Sequence, residues 1–301
     1  MTARTVTMTL SANGALLIGL LVFNLLVDPP EGRGDGVPMA SIGAVVGQVE
    51  IKKKDSKRWV PAEVTEVLQE GDEIRTGLFS DTTLHLRGSS SVIVSANTSF
   101  VVGQDVIGEN QTERSLFELG VGQITAAIPR GTEHEYQFHS KGSDAVASAQ
   151  QGEFSLTTDG KGTVVVDTRA GDVKLKARGK EVVVKKGRRS VVKPNKAPSR
   201  VMPIPSSVAL QVKWPPTKID RTRTTISGRT SPGTLVMVNG FQVRSDKDGR
   251  WSLDVPLREG SNRLVVSVTD SAGNSTRRES PEIRVDTVPP GLEVDAKDLW
   301  K

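Results

Sequence analysis

Residues 172–185 read Asp-Val-Lys-Leu-Lys-Ala-Arg-Gly-Lys-Glu-Val-Val-Val-Lys, and this stretch decides the fold class of the chain. Apolar and basic residues alternate from Val173 onward, with the two-residue period of a half-buried β-strand. The alternation places the apolar residues on one face and predicts Lys174, Lys176 and Arg178 together on the other face. A hairpin then leads to further basic residues. The stretch therefore predicts a β-sheet with one apolar and one basic side.

Short alternating runs of the same kind fill the chain from Ile42 onward. They are bounded by Gly, Asp, Asn and Ser and recur roughly every eight to twelve residues, which is typical of sandwiched or stacked β-structures. No convincing helix of ten or more residues follows the N-terminal segment. The fold class is therefore predicted to be all-β. The runs before residue 190 include 45–52, 83–86, 91–95, 99–102, 123–127, 153–157, 163–168, 172–178 and 181–185.

Positive charge is concentrated in one segment. The formal net charge is +5, but 13 basic and three acidic residues between Lys161 and Arg200 give this segment +10 and leave −5 for the rest. The basic face predicted within this segment would suit an anionic polymer or lipid head groups. Alternatively, it is a solvated face whose lysines discourage edge-to-edge pairing of strands. The candidate binding residues are Lys174, Lys176, Arg178, Lys185, Lys186, Arg188 and Arg189.

The residue inventory argues against an enzyme, a cofactor or a metal site. The chain has no cysteine, which excludes thiol catalysis and disulfides. His134 and His139 are five residues apart, a spacing that sends them to opposite faces of a strand, so we expect surface histidines. Neither a Gly-x-Ser-x-Gly elbow nor a phosphate loop occurs. Aromatic residues make up 4% of the chain and none interleaves with the basic run, so nucleic acid is not an expected partner.

Residues 1–27 predict a membrane anchor. No charged residue occurs from Val6 to Val27, a length close to the ~20 residues that a spanning helix needs. The following Asp28-Pro29-Pro30 is a poor cleavage site, so we expect an uncleaved signal anchor, with secretion after signal cleavage as the alternative. Arg4 before the span favours a cytoplasmic N-terminus. This predicts a single-pass inner-membrane protein with its bulk in the periplasm.

Composition divides the rest of the chain. Residues 28–41 are predicted to form a spacer, and residues 291–301 a tail. Six prolines within residues 194–216 predict a stiff, extended linker without regular elements. The linker separates a first β domain, residues 42–193, from a second domain, residues 217–290.

The first β domain resembles the FecR domain. The resemblance rests on Leu-Gln-Glu-Gly-Asp-Glu-Ile-Arg-Thr-Gly at 68–77, with Gly-Gln-Val-Glu at 47–50 and Leu-Gly-Val-Gly-Gln at 119–123. It covers roughly residues 42–192 and implies an elongated, non-catalytic, all-β periplasmic domain. Regulatory FecR proteins have a cytoplasmic domain before their span, for which we expect no room ahead of Val6. Gly71-Asp72 is read as a turn, because glycine permits positive φ and Asp side chains bond nearby amides.

The second domain resembles bacterial Ig-like modules of surface and exported proteins. The matching pattern includes Val-Asn-Gly at 238–240, Asp-Gly-Arg-Trp at 248–251 and Asp-Ser-Ala-Gly-Asn at 270–274. Asn-Gly and Asp-Gly turns favour hairpins, and about seven short strands predict an Ig-like β-sandwich. Asp246 and Asp248 are read as turn residues, because the twelfth position of a calcium loop would be Leu257 rather than Glu.

Two functions from different classes follow. The first is a membrane-anchored, non-enzymatic scaffold or binding protein of the cell envelope, whose partner is an envelope protein, peptidoglycan or another anionic polysaccharide. The second is a FecR-like periplasmic sensor subunit that signals through a partner protein.

Overall fold

The computed structural model describes residues 39–107, 112–131, 134–270 and 273–288. Within these ranges the regular elements are strands, apart from a short 3-10 helix at Arg87–Ser89. The chain is thus all-β in its described part, as predicted. No helix in that part is long and apolar enough to cross a membrane. The predicted anchor and tail lie outside the described residues.

The strands of the first domain form one branched network. They are β1 Ala40–Val46, β2 Val49–Lys52, β3 Val60–Pro61, β4 Val67–Leu68, β5 Glu73–Thr76, β6 Asp81–Leu86, β7 Ser91–Val94, β8 Ser99–Ile107, β9 Glu113–Ile128, β10 Glu135–Ser140, β11 Val146–Ala149, β12 Gly152–Thr158, β13 Val164–Ala177, β14 Lys180–Lys185, β15 Arg188–Val192 and β16 Met202–Pro203.

The network consists of two sheets. Sheet I has the order β4-β1-β6-β7-β9-β12-β13-β15-β16. Sheet II has the order β3-β2-β5-β8-β9-β10-β11-β13-β14. Neighbouring strands are antiparallel except β9 and β10, which are parallel.

Strands β9 and β13 belong to both sheets because each bends at a glycine. Gly122 has φ 114° and Gly171 has φ 70°, values that side chains with a Cβ rarely adopt. At Gly171 a Cβ would also lie only 2.7 Å from the carbonyl oxygen of Gln151. The two bends let one strand leave sheet I and continue in sheet II. The predicted strands 163–168 and 172–178 are therefore two halves of β13.

A single apolar core fills the space between the two sheets. Phe100, Phe117, Phe138 and Phe154 form a chain of ring contacts, with successive centroids 5.6, 5.4 and 5.6 Å apart. All four side chains are at most 1% exposed. Burial of large aromatic side chains is a major contribution to folding stability.

Asp72 of the 68–77 string is structural. Its carboxylate is buried and accepts hydrogen bonds from the backbone N–H groups of Gln69 (3.0 Å) and Lys54 (3.1 Å). The Lys53 ammonium donates a third, at 3.0 Å. Gly71 has φ 87°, which completes the predicted turn.

The second domain contains three small sheets around Trp251 and neighbouring aliphatic residues. The hairpin predicted at Asn239-Gly240 is confirmed, since both residues have positive φ and Val238 pairs with Phe241. Its strands are β17 Gln211–Lys213, β18 Lys218–Ile219, β19 Arg223–Arg229, β20 Leu235–Val238, β21 Phe241–Arg244, β22 Arg250–Pro256, β23 Gly260–Asn262, β24 Val265–Thr269, β25 Ser275–Glu279 and β26 Ile283–Val285.

The proline-rich segment 194–216 differs from the extended linker that its composition predicts. It contributes β16 to sheet I and β17 to the second domain. Val208 and Leu210 are buried in the core of the second domain. The prolines restrict the backbone, but the residues between them carry apolar side chains and N–H groups that pack and pair.

Candidate anion-binding face

The basic stretch forms a hairpin at one edge of sheet II. Strand β13 turns into β14 through Arg178 and Gly179, and Ala177 pairs with Lys180. Both turn residues have positive φ, 52° and 70°, as two-residue hairpins of the right twist require. In the described structure β14 pairs only with β13, so this hairpin forms an edge of the sheet.

The predicted alternation along β13 is confirmed for its lysines. Lys174 and Lys176 are exposed, whereas Val173, Leu175 and Ala177 are at most 1% exposed. Lys185 of β14 pairs with Asp172, two residues before Lys174, and therefore lies on the same outer face. We call Lys174, Lys176 and Lys185 the cationic stripe.

Arg178 was predicted on the same face, but that prediction is wrong. The residue belongs to the turn, where its left-handed backbone interrupts the strand alternation. Its backbone N–H donates to the Asp144 carboxylate at 2.8 Å, which fixes the tip of the hairpin. The Arg178 side chain is exposed at the end of the stripe rather than within it.

Lys186 and Arg188 lie at the opposite end of the hairpin, Lys186 in the turn between β14 and β15 and Arg188 as the first residue of β15. Both are exposed. Between them Gly187 donates its backbone N–H to the carbonyl of Thr168 at 2.8 Å, which holds this turn against β13. These two cations flank the stripe beside Lys185.

Arg189 is buried, contrary to its predicted place in the basic face. It is 7% exposed, and its guanidinium donates to both carboxylate oxygens of Asp167, at 2.5 and 2.7 Å. Burial alone lowers the pKa of Arg189. The hydrogen bonds and charge of Asp167, together with the charge of Asp270, outweigh the effect of burial and raise the pKa of Arg189 above its ordinary value. Arg189 is a structural ion-pair partner.

Elsewhere on the outer face of sheet II, three cations pair with carboxylates on adjacent strands: Lys52 with Glu73, Arg75 with Glu50, and Arg114 with Glu135, each at 2.7 Å. The Arg75 guanidinium also lies 4.2 Å from the centre of the Trp59 ring. We call the residues Lys52, Glu50, Glu73, Arg75 and Trp59 the paired half of this face.

The cationic stripe lacks such partners. Glu181 lies opposite Lys176 and Asp172 opposite Lys185 in the register. Even so, among the described residues no carboxylate oxygen comes within 4.0 Å of a stripe ammonium. The stripe therefore presents free cations next to the exposed Val183, which is 41% exposed.

His134, just before β10, and His139, within β10, are both more enclosed than surface histidines would be. His134 is 8% exposed, and its Nε2 lies 2.7 Å from the hydroxyl of Ser115, which donates to Asp105 at 2.6 Å. Because that hydroxyl has a single proton, His134 must be the donor to Ser115. Burial lowers the pKa of His139, and the Glu118 carboxylate offsets this only in part.

The sequence could not predict the cluster of Asp105, Ser115 and His134. Its members lie in β8, in β9 and just before β10, and they share no sequence motif. Its serine is 1% exposed and its proton is held by a carboxylate, so the arrangement fits a structural network rather than a nucleophile. Within the described residues no group of three or more metal-ligating side chains occurs.

An all-β architecture ending in a small Ig-like sandwich defines the class of the chain. A family model described as a bacterial Ig-like domain matches residues 218–287, so the second domain is Ig-like as predicted. No curated protein matches the chain.

Solved structures similar to the chain include two crystal structures of a "putative anti-sigma factor" from Parabacteroides distasonis ATCC 8503. They share 14% and 13% sequence identity with the chain, each at a TM-score of 0.36. Each alignment covers 43% of this chain and 57% of that chain, so little more than half of their length is matched. A polysaccharide lyase is also similar, at 9% identity and a TM-score of 0.21, over 83% of this chain and 40% of that chain.

Proposed function

We propose that this chain is a non-enzymatic, membrane-anchored protein of the cell envelope that faces the periplasm and binds an anionic polysaccharide through its cationic stripe. Peptidoglycan is the first candidate ligand. The N-terminal segment would hold the protein in the inner membrane, and the β domains would carry the binding surface outward.

The single observation that carries the proposal is the contrast in pairing on the outer face of sheet II. An ammonium without a carboxylate in contact keeps more of its attraction for an anion than a lysine already bonded to a glutamate. Residues two apart on a strand are about 6.8 Å apart. Lys174 and Lys176 can therefore contact successive acidic groups of an extended polymer.

A polysaccharide suits this surface better than a nucleic acid. Proteins that bind single-stranded nucleic acid combine cations with aromatic side chains on which bases stack. None of the residues paired with the stripe lysines across the sheet is aromatic: they are Val183, Glu181, Asp172, Ser148 and Val146. The stripe thus offers charge without a stacking platform.

The test is retention of the full chain on purified peptidoglycan sacculi. Reversal of the stripe (Lys174→Glu, Lys176→Glu, Lys185→Glu) is expected to lower affinity about tenfold or more, which corresponds to about 1.4 kcal/mol. Wild-type retention is expected to weaken as salt rises. The matched control reverses Lys213, Lys218 and Arg258, three exposed cations of the second domain, and changes the net charge equally. Equal loss in both variants would refute a specific role for the stripe.

The sensor function remains the second candidate because of the FecR-like string at 68–77. A sensor of this kind needs a cytoplasmic partner for its N-terminal tail. Deletion of Thr2–Thr5 is expected to disrupt a regulatory output if the chain signals and to leave it unchanged if the chain is a scaffold. A reporter-gene comparison of the two strains separates the two functions.

A further inference from the structure

One face of strands β12 and β13 is polar and yet buried. Ser155, Thr157 and Asp167 alternate with core residues and therefore point away from the first domain's core. They are nevertheless 0%, 4% and 0% exposed. The outer face of an antiparallel sheet with such side chains usually contacts water. Another part of the chain must therefore cover the outer face of sheet I at β12 and β13.

The cover is a set of loops of the second domain. Residues 231–234 and Asp270 line a common gap with Thr157 and Arg189 of the first domain, and the gap measures only about 10 Å³. A space of that size holds no more than one water molecule. Gly233 is so close that a Cβ at this position would lie 3.1 Å from a methyl carbon of Thr157. The two domains are thus in close van der Waals contact.

Charged groups from both domains meet in this contact. Asp167 and Arg189 form the buried pair described above, and Asp270 is 5% exposed and close enough for its charge to act on Arg189. The backbone N–H of Asn274 holds the Asp270 carboxylate at 2.9 Å. Displacement of the second domain would separate Asp270 from Arg189 and remove this attraction between the two domains.

A second polar contact lies beside the first. The Asn97 side-chain amide donates to the side-chain oxygen of Gln242 at 2.6 Å. Arg244 donates to the carbonyl of Gly233 at 2.8 Å within its own domain and makes a longer bond, 3.4 Å, to the carbonyl of Ala96 across the contact. Burial lowers the pKa of Arg244 to about 10, since its guanidinium has lost most of its water.

The proline-rich segment is itself fastened to both domains. Ser199 donates its backbone N–H to the carbonyl of Val191 at 2.8 Å. On the other side, Asn274 donates to the carbonyl of Pro205 at 2.9 Å and Thr276 to that of Val208 at 2.7 Å. These bonds remove the freedom that a linker between independent domains would have.

We propose that the second domain is latched onto the outer face of sheet I, by the Asp167–Arg189–Asp270 charge cluster and the Asn97–Gln242 contact, so that the two β domains act as one rigid body. The segment 194–216 is then a strap and not a hinge. The part of the outer face of sheet I around Thr157, Val165 and Arg189 is closed to ligands, whereas the outer face of sheet II stays open. This inference does not depend on polysaccharide binding.

Cross-linking tests the latch directly, because the chain has no native cysteine. The full-length Asn97→Cys/Gln242→Cys variant is expected to cross-link nearly completely with a short bis-maleimide, as seen by a shift on denaturing gels. The matched control is Asn97→Cys/Arg277→Cys, since Arg277 lies on β25 at the other edge of the same sheet as Gln242. Comparable cross-linking of both pairs, or none in the first, would show that the domains move independently.

Proteolysis supplies a second readout that leaves the latch residues Asn97 and Gln242 intact. Trypsin is expected to cut the strap at Lys196 and Arg200 about tenfold faster in Asp270→Asn than in the wild type, because undocking frees the strap. An asparagine oxygen still accepts the bond from Asn274, so the local turn is retained. Asp254→Asn, an exposed carboxylate of the same domain, is the control. Equal cleavage rates in the three proteins would overturn the proposal.

Discussion

The outer face of sheet II consists of two regions that use the same residue types in opposite ways. In the paired half, Lys52 and Arg75 each contact a glutamate on the neighbouring strand at 2.7 Å. In the cationic stripe, Lys174 and Lys176 contact no carboxylate of the described residues. The comparison shows that the number of lysines does not decide whether a sheet face carries unpaired charge. The carboxylates that adjacent strands place within reach of each lysine decide it.

The largest expected effect concerns Arg189, the basic residue that the fold removes from this surface. Arg189→Met leaves Asp167 buried without a counter-charge, so the free energy of unfolding is expected to fall by about 3–5 kcal/mol. Urea unfolding measures this loss. Lys176→Met is the control and should change stability by no more than about 0.5 kcal/mol. If both substitutions had the same effect, Arg189 would not be the structural residue that its burial indicates.

The stripe can be converted into a paired surface by one substitution. Val183 lies directly opposite Lys174 and is 41% exposed. Val183→Glu supplies the missing carboxylate and is expected to lower affinity for sacculi about tenfold, equivalent to about 1.4 kcal/mol, with little change in stability. Val183→Gln keeps the size without the charge and should bind nearly as well as the wild type. Equal weakening by Gln and Glu would point to a steric effect and against the charge argument.

The smallest expected effect is a shift in the pKa of Glu50, which belongs to the paired half. The hydrogen bond from Arg75 lowers the pKa of Glu50 below its ordinary 4.5. A lowered carboxylate pKa means that the pair persists above that pKa and is lost as pH falls through it. In Arg75→Met the midpoint of Glu50, followed by NMR, should rise toward 4.5. An unchanged midpoint would mean that the pair does not form in solution.

Local sequence patterns predicted the parts of the fold that depend on neighbouring residues. The alternation of Val173 to Ala177 and the Asn239-Gly240 hairpin follow from strand period and turn chemistry, which act over a few residues. The extent of β13 was underestimated, because Gly171 reads as a strand end although it is a bend within one strand.

Patterns could not predict burial that arises from distant parts of the chain. Arg189 alternates like a surface residue, and only the docking of the second domain encloses it beside Asp167. His134 likewise becomes buried because Ser115 and Asp105 approach from other strands. The sequence also could not predict that the stripe lysines lack carboxylate contacts. Such contacts depend on which residues the strand register places opposite one another and on how far their side chains extend.

The most direct test of the central claim is a footprint of lysine reactivity. The full chain is acetylated with and without sacculi. Mass spectrometry then compares the extent of acetylation of each lysine under the two conditions. We expect Lys174, Lys176 and Lys185 to lose reactivity when the polymer is bound, while Lys52 remains unchanged. Protection of Lys52 to the same degree, or no protection of the stripe at saturating polymer, would contradict the account.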